Sequence, residues 1–192
     1  MKIRLLVLAS LVSLIPLSSI AQNAQGNQLP LNSAERISHE VRYELLMLPD
    51  FGVFDNIDYR VSGGTVTLTG DVLQPALKTE AENVVKHIEG VEKVRNEIQI
   101  LPHDPTDGQL RFSLFRAIYQ YPGLQKYELG VLKPIRIIVN HRRVRLEGVV
   151  LSEPDRELAG VRARTVPGTR SVTNNLQVAE PRQLAAIALP LY

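Results

Sequence analysis

The sequence predicts an α+β fold: two tandem αββαβ modules, each a three-stranded mixed sheet with two helices packed on one face. Three observations predict it. First, Val66-Thr67-Leu68-Thr69-Gly70-Asp71-Val72-Leu73 recurs 78 positions later as Val144-Arg145-Leu146-Glu147-Gly148-Val149-Val150-Leu151. The register continues without a gap, carrying Val61 onto Val139, Ala81 onto Ala159, Gly90 onto Gly168, Val94 onto Val172, Asn96 onto Asn174 and Gln99 onto Gln177. Matched spacing over that length marks an internal repeat. Second, Val66, Leu68 and Val72 alternate with Thr65, Thr67 and Thr69, the period of a strand with one wet face. Third, the period then changes, and Leu77, Ala81, Val84, Val85 and Ile88 line one face of a helix.

Lys2 and Arg4 precede an apolar run over residues 5–17, too short to span a bilayer, and Ser19-Ile20-Ala21 places small residues before Gln22. Residues 1–21 therefore read as a cleaved secretory signal, and the mature chain is expected to be soluble and periplasmic or secreted, with no transmembrane span. The chain has no cysteine, which excludes disulfides and a lipid-modified cysteine anchor. Residues 22–33, rich in Gln, Asn and Gly, have little to bury and read as a flexible leader.

The first module is expected over residues 34–101. Ile37, Val41, Leu45 and Leu48 recur at helical spacing after Ser33, which supplies a cap oxygen, and Pro49 stops the helix. Ile57, Tyr59 and Val61 then alternate into Ser62-Gly63-Gly64, so this segment and residues 66–72 form a hairpin. Pro75 opens the second helix and Gly90 terminates it. The last strand is expected to turn Val94, Ile98 and Ile100 inward. The helix between the parallel strands should make a right-handed crossover. Gly70 and Gly148, on the buried side of their strands, are expected to mark the close approach of a crossing helix, since glycine otherwise only weakens a strand. Gly90 and Gly168 are likewise structural.

Residues 102–107, with Pro102 and Pro105, form a short stiff linker in which Asp107 caps the next helix. His103, Asp104 and Asp107 lack further ligands at a known metal spacing. The second module is expected over residues 108–178, with a helix over 109–121 and strands over 135–139, 144–150 and 172–178. Its connection over residues 123–134 is longer than the first module's and reads as a loop insertion. Its second helix should sit more exposed, because Asp155 and Arg162 replace Leu77 and Val84. The tail, 179–192, reads as a packing arm.

No cysteine nucleophile, glycine-x-serine-x-glycine elbow, glycine-rich phosphate loop or His-Glu-x-x-His pair is present. His39, His87, His103 and His141 have no carboxylate or serine at an indicative spacing. The chain therefore reads as a non-enzyme without cofactor. Its 22 Lys and Arg include Lys2 and Arg4, so a chain beginning at Gln22 has as many cations as its 20 acidic residues. The charge is divided unevenly, with 7 basic and 12 acidic side chains over residues 34–101 against 12 basic and 5 acidic over 108–178. Arg142 and Arg143 fall in the second hairpin turn, and Arg136 and Arg145 on the outward face of adjoining strands, so the second module presents a positive field. On its first helix, Leu110, Leu114, Ile118 and Tyr121 are expected at the core positions, leaving Phe112, Phe115 and Tyr119 as a second stripe beside Arg111 and Arg116. That stripe either seals a seam against the acidic first module or meets lipid or a partner. Arg111, Phe112, Phe115, Arg116, Tyr119, Arg136, Arg142, Arg143 and Arg145 are thus the candidate surface. Nucleic acid is disfavoured by the export signal.

Val66, Leu68, Gly70, Gly90, Val94 and Asn96, repeated as Val144, Leu146, Gly148, Gly168, Val172 and Asn174 behind a signal peptide, resemble the BON domain family. The resemblance implies a non-enzymatic α/β module of bacterial envelope proteins, associated with phospholipid membranes, osmotic-shock protection and a periplasmic chaperone-like role. A dual-domain lipoprotein branch docks on anionic lipid through its second module; this chain differs in having neither cysteine nor tryptophan. Two functions of different class follow: docking on anionic phospholipid, where each surface cation adds about 1 kcal/mol, or a soluble chaperone-like interaction with envelope proteins.

Overall fold

The computed structural model describes residues 33–129 and 133–179. The expected signal segment, nearly all of the leader, and the tail beyond Ala179 lie outside the described residues. The first module consists of α1 (Ser33–Leu46), β1 (Asn56–Ser62), β2 (Thr65–Val72), α2 (Pro75–Lys86), and a third strand in two pieces, β3 (Lys93–Asn96) and β4 (Gln99–Ile100). The second repeats this order as α3 (Pro105–Tyr119), β5 (Ile135–Asn140), β6 (Arg143–Val150), α4 (Glu153–Arg164), β7 (Ser171–Asn174) and β8 (Gln177–Val178), with a 3-10 turn, Gln125–Tyr127, inserted before β5.

β2 is the central strand, antiparallel to β1 with Val61 opposite Val66, and parallel to β3 and β4 with Val66 opposite Val94. β6 holds the same place between β5 and the β7/β8 pair. In each module the inward residues of the central strand and both helices share one core: Val41, Leu45, Leu68, Leu77, Val85 and Ile98 in the first, Leu114, Ile118, Leu146, Ala159, Ala163 and Leu176 in the second. Each such leucine, fully withdrawn from water, contributes about 1.5–3 kcal/mol.

The asparagines shared by the two copies explain the broken third strand. Asn96 Nδ2 donates to the Lys78 carbonyl at 2.8 Å and its Oδ1 accepts Ile98 N–H at 3.3 Å. Asn174 does the same with Arg156 O at 2.7 Å and Leu176 N–H at 3.3 Å. The amide thus ties the strand to the crossover helix and turns Ile98 and Leu176 inward. Ile100, expected inward, is instead 48% exposed, and Leu101 takes the next buried place.

Other expectations are corrected by local geometry. Gly70 (φ +121°) and Gly148 (φ +110°) do mark close backbone contacts, but the neighbour is the antiparallel strand side rather than a helix. A Cβ would lie 2.2 Å from Asn56 O at Gly70 and 2.0 Å from Pro134 O at Gly148. Ser33 is the first residue of α1 rather than its cap, and Leu48 packs from the turn beyond the helix end. Gly90 lies in the turn after α2, which ends at Lys86. α3 starts at Pro105, not at 109, because Asp104 Oδ1 accepts Thr106 N–H at 2.8 Å and caps the helix; that bond holds the Asp104 carboxyl below its usual range. Asp107 is therefore inside the first turn.

α4 is not left exposed by Asp155. The inserted 3-10 turn packs against it, with Leu124 and Tyr127 buried. Tyr127 Oη donates to Asp155 Oδ2 at 2.7 Å and accepts Leu151 N–H at 2.7 Å, and Lys126 pairs with the same carboxylate at 2.7 Å. Burial pushes Asp155 up, yet hydrogen bonds from Lys126, Tyr127 and Ser152 outweigh it and leave the carboxyl below its usual range.

Candidate functional site

Two surfaces of the second module divide the candidate residues between them. The first is a seam with loop 50–55 of the first module. Ile137 N–H donates to Val53 O at 2.8 Å, so this loop continues the ladder beyond β5 and covers its outer edge. Arg136 Nη1 donates to Gly52 O at 2.8 Å, while its guanidinium lies 4.2 Å from the Phe51 ring centre. Phe54 meets Phe112 and Phe115 edge-on, with ring centres 5.7 and 6.5 Å apart. Arg145 reaches Asp71 through Nη2 at 2.5 Å and Glu147 through Nε at 3.0 Å.

Asp55 sits buried behind this seam, accepting Gly52 N–H at 3.0 Å and Leu73 N–H at 2.8 Å. Burial raises its pKa; the two backbone bonds and the charges of Arg136 and Arg111 offset only part of that. Burial likewise lowers the pKa of both arginines.

Arg111, Tyr119 and Arg136 are thus not on the outward surface expected for them. Tyr119 is fully buried between α3 and the start of β5, where its hydroxyl donates to Ile135 O at 2.6 Å and accepts Ile135 N–H at 2.9 Å. Arg111 is buried with Nη2 donating to Val139 O at 2.7 Å. The physical reason is that α3 is covered on two sides, by its own sheet and by loop 50–55, and that the same loop lies against Arg136 on β5. Of the aromatic stripe, Phe115 is half-buried against the second core and Phe112 is 65% exposed at the rim of the seam.

The second surface is the far end of the β5–β6 hairpin. Asn140 pairs with Arg143, leaving His141 and Arg142 as a two-residue turn with φ of 51° and 60°. Two left-handed residues in succession make the turn that glycine or asparagine usually occupies. Here a buried carboxylate holds it: Asp107 accepts His141 N–H at 2.7 Å and Arg142 N–H at 2.8 Å. Arg142 O in turn accepts Arg170 N–H at 2.8 Å. Arg142, Arg143 and Arg170 are all exposed, and among the described residues none of their guanidinium groups is in an ion pair.

The repeat register puts Gly64, Thr65 and Glu92 at these positions in the first module, where Gly64 O accepts Glu92 N–H at 2.7 Å by the same geometry. One scaffold therefore carries three arginines in one copy and a glutamate in the other. Arg170 was not among the candidates named from sequence; its alignment with Glu92 was the available signal. Arg116 is exposed on α3. Next to the hairpin end, the sheet face away from the helices holds a concavity of about 300 Å³ lined by Ile138, Asn140, His141, Arg143, Ser171 and Thr173 together with Arg145. Among the described residues, no cluster of three or more His, Cys, Asp and Glu could hold a metal, and no helix is long and apolar enough to cross a membrane. The exposed arginines at this hairpin end can bind an anion.

A family model described as the BON domain matches residues 33–102 and again residues 106–180. Two matched solved structures are of CdsD, a structural protein of the type III secretion system of Chlamydia trachomatis. The structure of its C-terminal domain is 11% identical, covering 74% of this chain and 96% of that one with a TM-score of 0.30. The other is 13% identical, covering 81% of this chain and 99% of that one with a TM-score of 0.28. No curated protein matches the chain.

Proposed function

Because this chain belongs to the BON domain family, whose model covers it twice, we propose that it is a non-enzymatic envelope protein that docks reversibly on anionic phospholipid through the hairpin end of its second module. The observation that carries this is the turn at His141 and Arg142. The chain places two non-glycine residues in the left-handed region and dedicates a buried carboxylate, Asp107, to holding them there. The outcome is the display of Arg142 and Arg143 beside Arg170, without counter-ions among the described residues. Local strain retained in this way marks a place where the side chains matter.

Each cation close to an anionic leaflet contributes about 1 kcal/mol, and the field decays within about 8 Å at physiological salt. Three arginines therefore support reversible, salt-sensitive docking. Phe115 faces the seam and adds no inserted apolar area. The export signal read at residues 1–21 places the protein in the periplasm or outside the cell in this proposal, with a part in envelope maintenance under osmotic stress.

Co-sedimentation with anionic against zwitterionic vesicles tests the reading. Binding to anionic vesicles that weakens with added salt supports it. Equal absence of binding to both kinds would direct attention to a chaperone-like interaction with envelope proteins.

A further inference from the structure

Beside the exposed arginines, the outward face of the second sheet is laid out in rows across the strands. Asn140, Arg143 and Ser171 stand side by side on β5, β6 and β7, and Ile138, Arg145 and Thr173 form the next row. These rows line the 300 Å³ concavity. Arg145 is already committed, with Nη2 on Asp71 and Nε on Glu147, so its charge is offset in place. Arg143 is not, and it lies between the Asn140 amide and the Ser171 hydroxyl. Arg142 and Arg170 adjoin these rows in sequence and are joined by the Arg170 N–H to Arg142 O bond at 2.8 Å.

A forked guanidinium beside one hydroxyl, with a second hydroxyl one row further along the sheet, matches a phosphate carrying several free oxygens. Arginine engages two of them in parallel, and hydroxyls donate to a third. A monoester has three terminal oxygens and a second charge near neutral pH, whereas a diester has two free oxygens and one charge. Its concave shape, with Arg143, Ser171 and Thr173 together in the lining, distinguishes this place from a flat basic patch. We infer that the concavity at Arg143, Ser171 and Thr173 is a recognition site for a phosphate monoester group. It deepens the membrane reading above and rests on it only for the lipid source; a free phosphorylated molecule would present the same chemistry.

The test uses the whole chain and two probes. In the first arm, inorganic phosphate is titrated at constant ionic strength while the amide resonances of Ser171 and Thr173 are followed, with acetate as the anion control. Saturable shifts with phosphate alone, weakened on the order of tenfold by Arg143→Gln and also by Ser171→Ala with Thr173→Val, support the site. Arg42→Gln, exposed on α1, should leave the titration unchanged. Absence of saturation, equal response to acetate, or an equal loss in Arg42→Gln would overturn it. In the second arm, vesicles containing phosphatidate are compared with phosphatidylglycerol vesicles matched for surface potential. A preference for phosphatidate that disappears in the hydroxyl double variant assigns the lipid source. Equal binding to both, with the phosphate titration intact, supports the site with a soluble phosphorylated ligand. Failure of all vesicle binding with that titration intact overturns the membrane reading and leaves the site standing.

Discussion

Asp107→Ala should loosen the arginine-bearing hairpin. Its carboxylate is fully buried and accepts two backbone N–H groups, His141 at 2.7 Å and Arg142 at 2.8 Å. A hydrogen bond to a charged group is worth about 1.5–3 kcal/mol net. Two together would reach twice that if both donors stayed dry, but a hairpin tip can open to water, so the lower end applies and the expected loss is about 3 kcal/mol. Each non-glycine residue held at positive φ also costs about 1–2 kcal/mol, which the tip relieves by unwinding once the clamp is gone. Removing the anion further leaves buried Arg111 without one of its charge partners. For a domain pair of this size, a loss of about 3 kcal/mol lowers Tm by about 6–12 °C. Asp107→Asn retains one carbonyl acceptor and should lose about half as much. Thermal melts of the full chain measure the stability, and vesicle binding below the transition measures whether the tip is still displayed. An Asp107→Ala protein with the parental Tm and parental vesicle affinity would refute the clamp.

Three further outcomes follow from the seam and the strands. Phe115→Ser should cost about 2 kcal/mol through lost apolar burial and split calorimetric unfolding into two transitions, because Phe54 would lose a contact that couples the modules; a single transition at the parental temperature would remove the seam from the account. Gly70→Val and Gly148→Val should each cost more than about 3 kcal/mol, since a Cβ would strike a carbonyl oxygen at 2.2 or 2.0 Å on a backbone with positive φ; parental melts and an unchanged near-ultraviolet spectrum would contradict this. Burial holds the Asp55 pKa above its ordinary 3.8, so the folded value exceeds the unfolded one. Its contribution to stability is then fully present below 3.8 and lost as pH rises through the folded pKa. Denaturant titrations across that window should show the parent losing stability relative to Asp55→Asn as pH rises, and a difference that is flat with pH would refute the burial argument.

The fold was legible because two independent periods agree, alternation in Val66, Leu68 and Val72 and helical spacing in Leu77, Ala81 and Val85, and because the whole pattern recurs in the second copy. Contacts between elements were less so. Gly70 announces that something comes close, but nothing in the sequence says whether a helix or a strand does. A helical wheel with one buried face puts Tyr119 outside; α3 has two covered sides, and the tyrosine is long enough to reach Ile135 with its hydroxyl. Arg136 reads as outward on an alternating strand, and only the position of loop 50–55 shows that this face is occupied. Asp107 carries the shape of a helix cap in sequence, while its partners lie 34 and 35 residues away. Arg142 is exposed in the tight turn, while Arg143, read from sequence as part of that turn, is the exposed first residue of β6.

The central claim is that uncompensated charge at one hairpin end drives docking on anionic lipid. The most direct measurement is the affinity of the full chain for anionic vesicles over a salt series, compared with Arg142→Glu/Arg143→Glu/Arg170→Glu. Loss of three favourable contributions of about 1 kcal/mol each predicts at least about a hundredfold weaker binding at low salt, and a shallower salt dependence in what remains. A triple variant that folds like the parent and binds with the parental affinity and salt slope would contradict it.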